Sequence, residues 1–578
     1  MAGFEVLAPE VIENIFWLTQ DSSSSANRSH LRRLQLVSKQ FCPIARRLLY
    51  RSVHIQKPWA GKKFSSRSSS AVLNNLVIMF VLSVKIGEGA FSKRDIFSDL
   101  SQDDILRQTP NLLYLDSPVS SFSPLSDCRR PFASYPPTLK SIRLSPTFHR
   151  WSAARYEDEY NSDDTDVEDD GSSLTVSDAL SILTSVPNSL TSLTISRTYV
   201  PDLSSSPTIP LRFLKSVTFD MTRTPYATLE AITKDSIANH SLKSLKVWVC
   251  EMITSENLYK LFERCGSDLE EFTFKPVNNG DRRAGQGGGG GGGGSGKFPA
   301  LRLVRYTPNL RRLSLGDKAA DHTLYPLLPR TLTHLTVSLP RDHINARLSE
   351  IEPLLKTRLR KLIKLELYSQ VYFPSPEITY SRPSSSEPTG LRELRLSHVS
   401  TPHRALESFL SSVGSSIQTL ALHHVSSPFS SALFSYCPKL RRLELGRSTN
   451  EVEDGNNVID LYSTTDHSCL ESIRVHFNSG IRLDDLVDEV RAPRIVTPKG
   501  LGGAEGRDTT YLKTLELVGC FPDDQGGFES GWTNSNQIDE LIKVAKEKGT
   551  IVMINGKMIE TMGDMWSALF NQDSARDW

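Results

Sequence analysis

From Leu112 onward one six-residue pattern recurs along the chain: apolar, two variable residues, apolar, one variable, apolar. It reads LKSIRL at Leu139, LTSLTI at Leu190, LKSVTF at Leu214, LKSLKV at Leu242 and LEEFTF at Leu269. It continues as LRRLSL at Leu310, LTHLTV at Leu332, LIKLEL at Leu362 and LRELRL at Leu391. IQTLAL at Ile417, LRRLEL at Leu440, LESIRV at Leu470 and LKTLEL at Leu512 complete the series. Successive starts are 51, 24, 28, 27, 41, 22, 30, 29, 26, 23, 30 and 42 residues apart. The three long steps hold YEDEYNSDDTDVEDD, GQGGGGGGGGSGK and TPKGLGGAEGRD, and removing such insertions returns each step toward the common spacing.

A period near 22–30 residues is that of a leucine-rich repeat. In an extended strand side chains alternate faces, so the last two apolar residues of each motif point inward together and the residues around them point out. Leu313 and Leu315 are then core, whereas Arg312 and Ser314 face outward. SENLYKLFERCG, HRALESFLSSVG and SSALFSYCP read as helices before their strands. No helix–turn–strand unit buries its own apolar face, so neighbours must stack. Val53 and Ile55, Val84 and Leu112 suggest opening strands; NQIDELIKVAKEKG and TIVMI suggest a closing unit. The asparagine expected after the strands is mostly missing, with Gly316 or Ser338 in its place. The expected class is α/β: a short three-helix N-terminal domain, then an irregular β/α solenoid with a parallel concave sheet and helices outside. The expected boundaries are 1–52, 53–555 and a tail at 556–578, with disordered insertions near 155–173, 278–297 and 491–510.

The first sixty residues lie outside the repeat. Leu7, Val11, Ile12, Ile15, Phe16 and Leu18 fall on helical spacing behind Pro9, a residue tolerated in a first helical turn. Leu31, Leu34, Val37 and Phe41 mark a second helix, and a third begins at Pro43. Three short helices cannot bury so many apolar side chains among themselves, so some must face a partner or the first repeats.

This segment resembles an F-box. The family's opening motif corresponds to Leu7-Ala8-Pro9-Glu10-Val11-Ile12, and its second signature to Leu34-Gln35-Leu36-Val37-Ser38-Lys39-Gln40-Phe41. The tail Leu48-Leu49-Tyr50-Arg51-Ser52-Val53 is similar to the form common in fungal F-box proteins. Ala8, Ser38 and Phe41 replace the family's usual proline, cysteine and tryptophan. The resemblance implies a Skp-type adaptor as partner, and through it a cullin–RING ubiquitin ligase of the SCF type. Leu7, Pro9, Glu10, Ile12, Ile15, Phe16, Leu34, Val37 and Phe41 would form the adaptor-binding surface, and the repeats would select a protein substrate for degradation. The same helices could instead cap the solenoid of an interaction scaffold with no part in ubiquitination.

Composition narrows the classes. Lys and Arg total 67 against 66 Asp and Glu, a formal net charge of +1. This balance argues against broad nucleic-acid binding. The seven cysteines include no pair at CxxC spacing, which favours a reducing compartment, cytoplasm or nucleus. The N-terminus lacks the pattern of a secretory signal, and the apolar run Leu76–Leu82 is too short to span a bilayer. The only GxGxxG match lies in the glycine run, and no G-x-S-x-G elbow appears. His423, His424 and His476 fall on or beside strands with no Cys or carboxylate at metal-site spacing. No catalytic residue, cofactor or metal site is therefore expected. Candidate substrate contacts are the outward aromatic and imidazole residues Trp248, Tyr368, His423 and His476, with Arg312, Arg395 and Arg442 beside them; exposed aromatics on a polar surface are favoured anchors.

Overall fold

The structure is a computed structural model. It describes residues 51–55, 81, 83–86, 109–118, 135–145, 183–196, 200, 202–204, 209–222, 224–250, 253, 255–276, 305–316, 322–339, 344–369, 389–397, 403–423, 435–446, 469–476, 483–492, 494–495, 509–518, 535–554 and 557–559. The chain divides into two compact units, Met1–Gly289 and Gly290–Trp578.

In the first unit the strands are β1 (Ser52–Ile55), β2 (Ser83–Ile86), β3 (Tyr114–Pro118), β4 (Ser141–Ser145), β5 (Ser192–Ser196), β6 (Ser216–Asp220), β7 (Ser244–Cys250) and β8 (Glu271–Pro276). Each lies parallel to the next in chain order. Helix α1 (Tyr226–Ala238) precedes β7 and α2 (Ser255–Cys265) precedes β8. The second unit repeats the plan. Its strands are β9 (Arg312–Leu315), β10 (His334–Leu339), β11 (Lys364–Ser369), β12 (Glu393–Ser397), β13 (Thr419–His423), β14 (Arg442–Leu445) and β15 (Ser472–His476). After a separate antiparallel pair, β16 (Arg494–Ile495) with β17 (Thr509–Thr510), come β18 (Thr514–Val518) and β19 (Ile551–Ile554). From β9 to β15, then β18 and β19, neighbours run parallel. β20 (Lys557–Met558) folds back antiparallel on β19, past residue 555. The helices are α3 (Ile344–Thr357), α4 (His403–Val413), α5 (Leu483–Arg491) and α6 (Ser535–Lys548). Each unit is thus an open leucine-rich-repeat β/α array.

All thirteen sequence motifs become strands, and each strand starts at the motif's third residue. The expected burial follows: Leu310, Leu313 and Leu315 are buried, whereas Arg312 is exposed. Helix side chains close the core from behind. Leu258, Leu261 and Phe262 of α2 are buried, and Phe262 meets Phe272 of β8 edge-on at 4.8 Å. Each such buried side chain contributes roughly 1.5–3 kcal/mol.

Two local devices set where a strand begins. One is a turn closed by the motif's first residue: Leu112 N–H donates to Thr109 O and Leu440 N–H to Cys437 O. Pro110 and Pro438 occupy the second turn position, where a fixed φ is an advantage. The other is a hydroxyl ladder just ahead of that residue. Thr138 Oγ1 lies 2.9 Å from Leu112 O, Ser189 Oγ 2.9 Å from Leu139 O, and Ser241 Oγ 3.0 Å from Leu214 O. Thr331 and Ser416 reach Leu310 O and Leu391 O in the same way, both at 2.8 Å. In each case the hydroxyl of one repeat lies within donating distance of the first motif carbonyl of the repeat before it, and at Thr138, Ser189, Ser241 and Thr331 the carbonyl two residues earlier shares that single proton. These five residues join neighbours without the missing asparagines.

Residues 1–50, which carry both F-box motifs, lie outside the described residues, as do 155–173 and 278–297; of the tail Leu48–Val53 the structure describes Arg51 and, at the start of β1, Ser52 and Val53. Of the segment 491–510, the structure describes the end of α5, Ala492 and the β16–β17 pair.

Candidate functional site

The parallel register lines up the outward residues in rows. In the first unit the row at the third motif position is Ser83, Tyr114, Ser141, Ser192, Ser216, Ser244 and Glu271. It is mostly small and uncharged. In the second unit the row at the fifth position reads Glu366, Arg395, Ala421, Glu444, Arg474 and Glu516. The candidate residues divide between these two surfaces.

Trp248 belongs to the first. It is 40% exposed near the end of β7, and Lys275 Nζ sits 5.5 Å from its ring centre. The backbone beside it is strained. Val249 adopts φ 52° and Met221, across the ladder, φ 50°. A β-branched residue in that region is a steric outlier. The register shifts between Trp248 and Cys250, and Met221 N–H donates to Trp248 O at 2.7 Å. The bulge ends regular pairing where the indole is presented; bulges re-aim side chains in this manner.

The second surface carries Arg312, Tyr368, Arg395, His423, Arg442 and His476. Arg312 and Arg442 are exposed at the first positions of β9 and β14. Tyr368 is half-buried in β11. Arg395 is drawn into an alternating chain of charges. Lys364 touches Glu366 at 3.7 Å and Glu393 at 3.2 Å; Arg395 touches Glu393 at 2.6 Å and Glu444 at 3.6 Å. Arg474 touches Glu444 at 3.5 Å and Glu516 at 3.4 Å. Ala421, between Arg395 and Glu444 in the row, is short enough to let the guanidinium cross its strand. Burial opposes ionisation of Glu393, but hydrogen bonds from Arg395 and Lys364 outweigh it and hold the carboxyl below the usual range.

His423 and His476 come together around a residue that sequence spacing does not single out. His423 Nε2 lies 3.5 Å from Glu444 Oε1, and His476 Nε2 lies 3.1 Å from the same oxygen. The two rings meet edge-on at 4.9 Å. All three side chains are half-buried. Burial again opposes ionisation of Glu444, yet hydrogen bonds from both histidines hold its carboxyl well below the usual range. Linear spacing shows no carboxylate partner for these histidines because Glu444 sits on the strand between theirs.

The buried cysteines offer no reactive thiolate. Burial pushes the Cys250 thiol up to about 11, and those of Cys265 and Cys437 up to about 12. Such thiols stay protonated and weakly nucleophilic at neutral pH. Among the described residues no helix is long and apolar enough to cross a membrane.

No protein-family model matches the chain, and comparison with curated protein sequences finds no match. Solved structures do superpose on it. The leucine-rich-repeat-containing protein LegL7 from Legionella pneumophila covers 67% of this chain and 97% of its own at 12% identity, with a TM-score of 0.31. The Rad7 and Elc1 complex in yeast covers 94% and 100% at 13% identity, TM-score 0.35. The TLR13–ssRNA13 complex covers 90% and 82% at 13% identity, TM-score 0.28. These superpositions are loose; strand register and burial carry the repeat architecture.

Proposed function

We propose that this chain is a non-catalytic substrate receptor of an SCF-type ubiquitin ligase. Its N-terminal segment docks a Skp-type adaptor, and its outward sheet faces hold a substrate protein. The observation that supports the binding half of this reading is the register itself. Parallel pairing places the outward residues of the eight strands of the first unit on one surface, with exposed Trp248 among them. Large aromatic side chains on a polar surface anchor protein interfaces. The adaptor half is supported by the residue pattern Leu7, Pro9, Glu10, Ile12, Ile15, Phe16, Leu34, Val37 and Phe41. In this arrangement the ligase's other subunits transfer ubiquitin, and the chain contributes proximity and orientation.

The test is direct binding of the full chain to a purified Skp-type adaptor, with wild type set against the double variant Leu7→Ala, Pro9→Ala. A buried leucine is worth roughly 1.5–3 kcal/mol, so affinity should fall about tenfold or more. Equal adaptor binding by a folded double variant, or none by wild type, excludes the adaptor role and leaves a repeat scaffold.

A further inference from the structure

We propose that His423, Glu444 and His476 form a zinc-binding site on the outward sheet face of the second unit. This inference stands independently of the adaptor and substrate reading.

The register builds the site. His423 is the last residue of β13 and His476 the last of β15, with β14 between them. Ala421 pairs with Glu444 and Leu422 with Leu445, so one further step puts His423 opposite Gly446. Glu444 pairs with Arg474 and Leu445 with Val475, so the same step puts His476 opposite Gly446 from the other side. The two histidines therefore flank a glycine. A Cβ at 446 would lie 2.2 Å from His423 Nδ1 and 2.6 Å from its Cγ. The missing side chain is what lets the imidazole occupy that space. Glu444, two residues earlier on the middle strand, is the outward side chain below both rings.

The distances suit a metal. Ligand atoms of the three residues all lie within 4.8 Å of one another. The two nitrogens stand 3.5 and 3.1 Å from Glu444 Oε1. Zinc bonds of about 2.0–2.1 Å at tetrahedral angles set ligand atoms about 3.3–3.4 Å apart. Two imidazoles and one carboxylate form a donor set typical of zinc sites that keep a fourth position open. That position faces the solvent side of the sheet, where water or a donor from a bound protein can complete it.

The charges around the site alternate in sign. The chain Glu366, Lys364, Glu393, Arg395, Glu444, Arg474, Glu516 begins and ends on a carboxylate. The run holds four acids and three bases, and exposed Arg442, two residues before Glu444 on the same strand, brings the face to balance, so the carboxylate of Glu444 is the site's own negative charge. Arg395 contacts Glu444 at Oε2 and Arg474 at Oε1, so Arg474 is the cation that competes with a metal for the oxygen facing the histidines, and it has an alternative. Its buried Nε makes no hydrogen bond, although Glu516 Oε2 lies 3.4 Å away. A small turn toward Glu516 satisfies that nitrogen and frees Oε1.

The experiment uses full-length protein, stripped with a chelator and dialysed, then titrated with zinc chloride by calorimetry and with cobalt chloride by visible absorption. Wild type should bind one zinc at this site and show the intense absorption of four-coordinate cobalt. His423→Ala, His476→Ala and Glu444→Gln should each weaken binding by about tenfold or more, the scale on which even outer-sphere changes act. His240→Ala should leave the titration unchanged, because that exposed histidine pairs with Asp268 in the first unit. Zinc should raise the melting temperature of wild type and not of Glu444→Gln, a near-isosteric variant. Absence of zinc binding by wild type overturns the proposal. So does titration of the three variants like wild type, or a loss that His240→Ala shares.

Discussion

Gly446 packs so closely beneath His423 that a single added carbon would fall 2.2 Å from the imidazole Nδ1. The contact is mostly with a side chain, although His423 Cα at 2.8 Å makes it partly backbone. Gly446→Ala should therefore destabilise the second unit by about 1–3 kcal/mol, the usual cost of overpacking. Adding His423→Ala removes the ring and should restore part of the loss. Denaturant unfolding of wild type, both single variants and the double variant measures the coupling. Strictly additive losses would show that ring and glycine do not compete for one space.

The hydroxyl ladder makes a second prediction. Ser241 Oγ lies 2.9 Å from Arg212 O and 3.0 Å from Leu214 O. Ser236 O lies 3.1 Å from the same hydroxyl, so Ser241→Ala removes one proton that three carbonyls share and should cost about 1 kcal/mol, the net worth of one such bond. The same change at Ser411, an exposed residue bonded only within its own helix to Ser408 O, should cost less. Equal losses in chemical unfolding would mean that the ladder does not join adjacent repeats.

A third prediction separates core from insertion. Leu313 is 2% exposed, so Leu313→Asp buries an unpaired charge and should unfold neighbouring repeats. Deleting Gly287 to Gly294 shortens a connection, and loop length enters stability only logarithmically. Its melting temperature should stay within a few degrees of wild type. Comparable melting of the two variants would contradict the assigned register.

Much of this was legible beforehand, and the exceptions have physical causes. The thirteen motifs translate into strands because alternation and period agree. Helix α1 escapes the pattern because its buried face includes Thr228, Thr233 and Ser236 beside Leu229 and Ile232. Thr233 and Ser236 donate back to Leu229 O and Thr233 O, both at 2.8 Å, so the hydroxyls are satisfied and no clean apolar stripe forms. Helix α3 carries Pro353 in its interior, ordinarily a stop signal. The histidine–glutamate cluster is invisible to local spacing because its members sit on three strands. The signal that could have found it is the glycine after LRRLEL, read against the ends of LHH and VHF.

Acid dependence makes a fourth prediction at Glu393. Its folded pKa lies below the ordinary glutamate value of about 4.3. A depressed carboxyl stabilises the fold above the unfolded pKa, and that contribution disappears as pH falls through the folded pKa. Glu393→Gln should therefore cost about 0.5–1 kcal/mol near neutrality, the upper range for a partly exposed pair. The gap to wild type should close below about pH 4. A gap that persists unchanged in acid would assign the loss to packing rather than charge.

The most direct test of the receptor reading compares two interactions in one experiment. Tagged full-length protein is captured from cells, and both the Skp-type adaptor and the co-purifying candidate substrates are quantified. Wild type, the Leu7→Ala, Pro9→Ala double variant and the Trp248→Ala, Tyr368→Ala double variant are run side by side, with folding checked by circular dichroism. The account predicts that the N-terminal variant loses the adaptor and keeps the substrates, whereas the sheet variant keeps the adaptor and loses the substrates. Loss of both partners in either folded variant, or of neither in both, would contradict it.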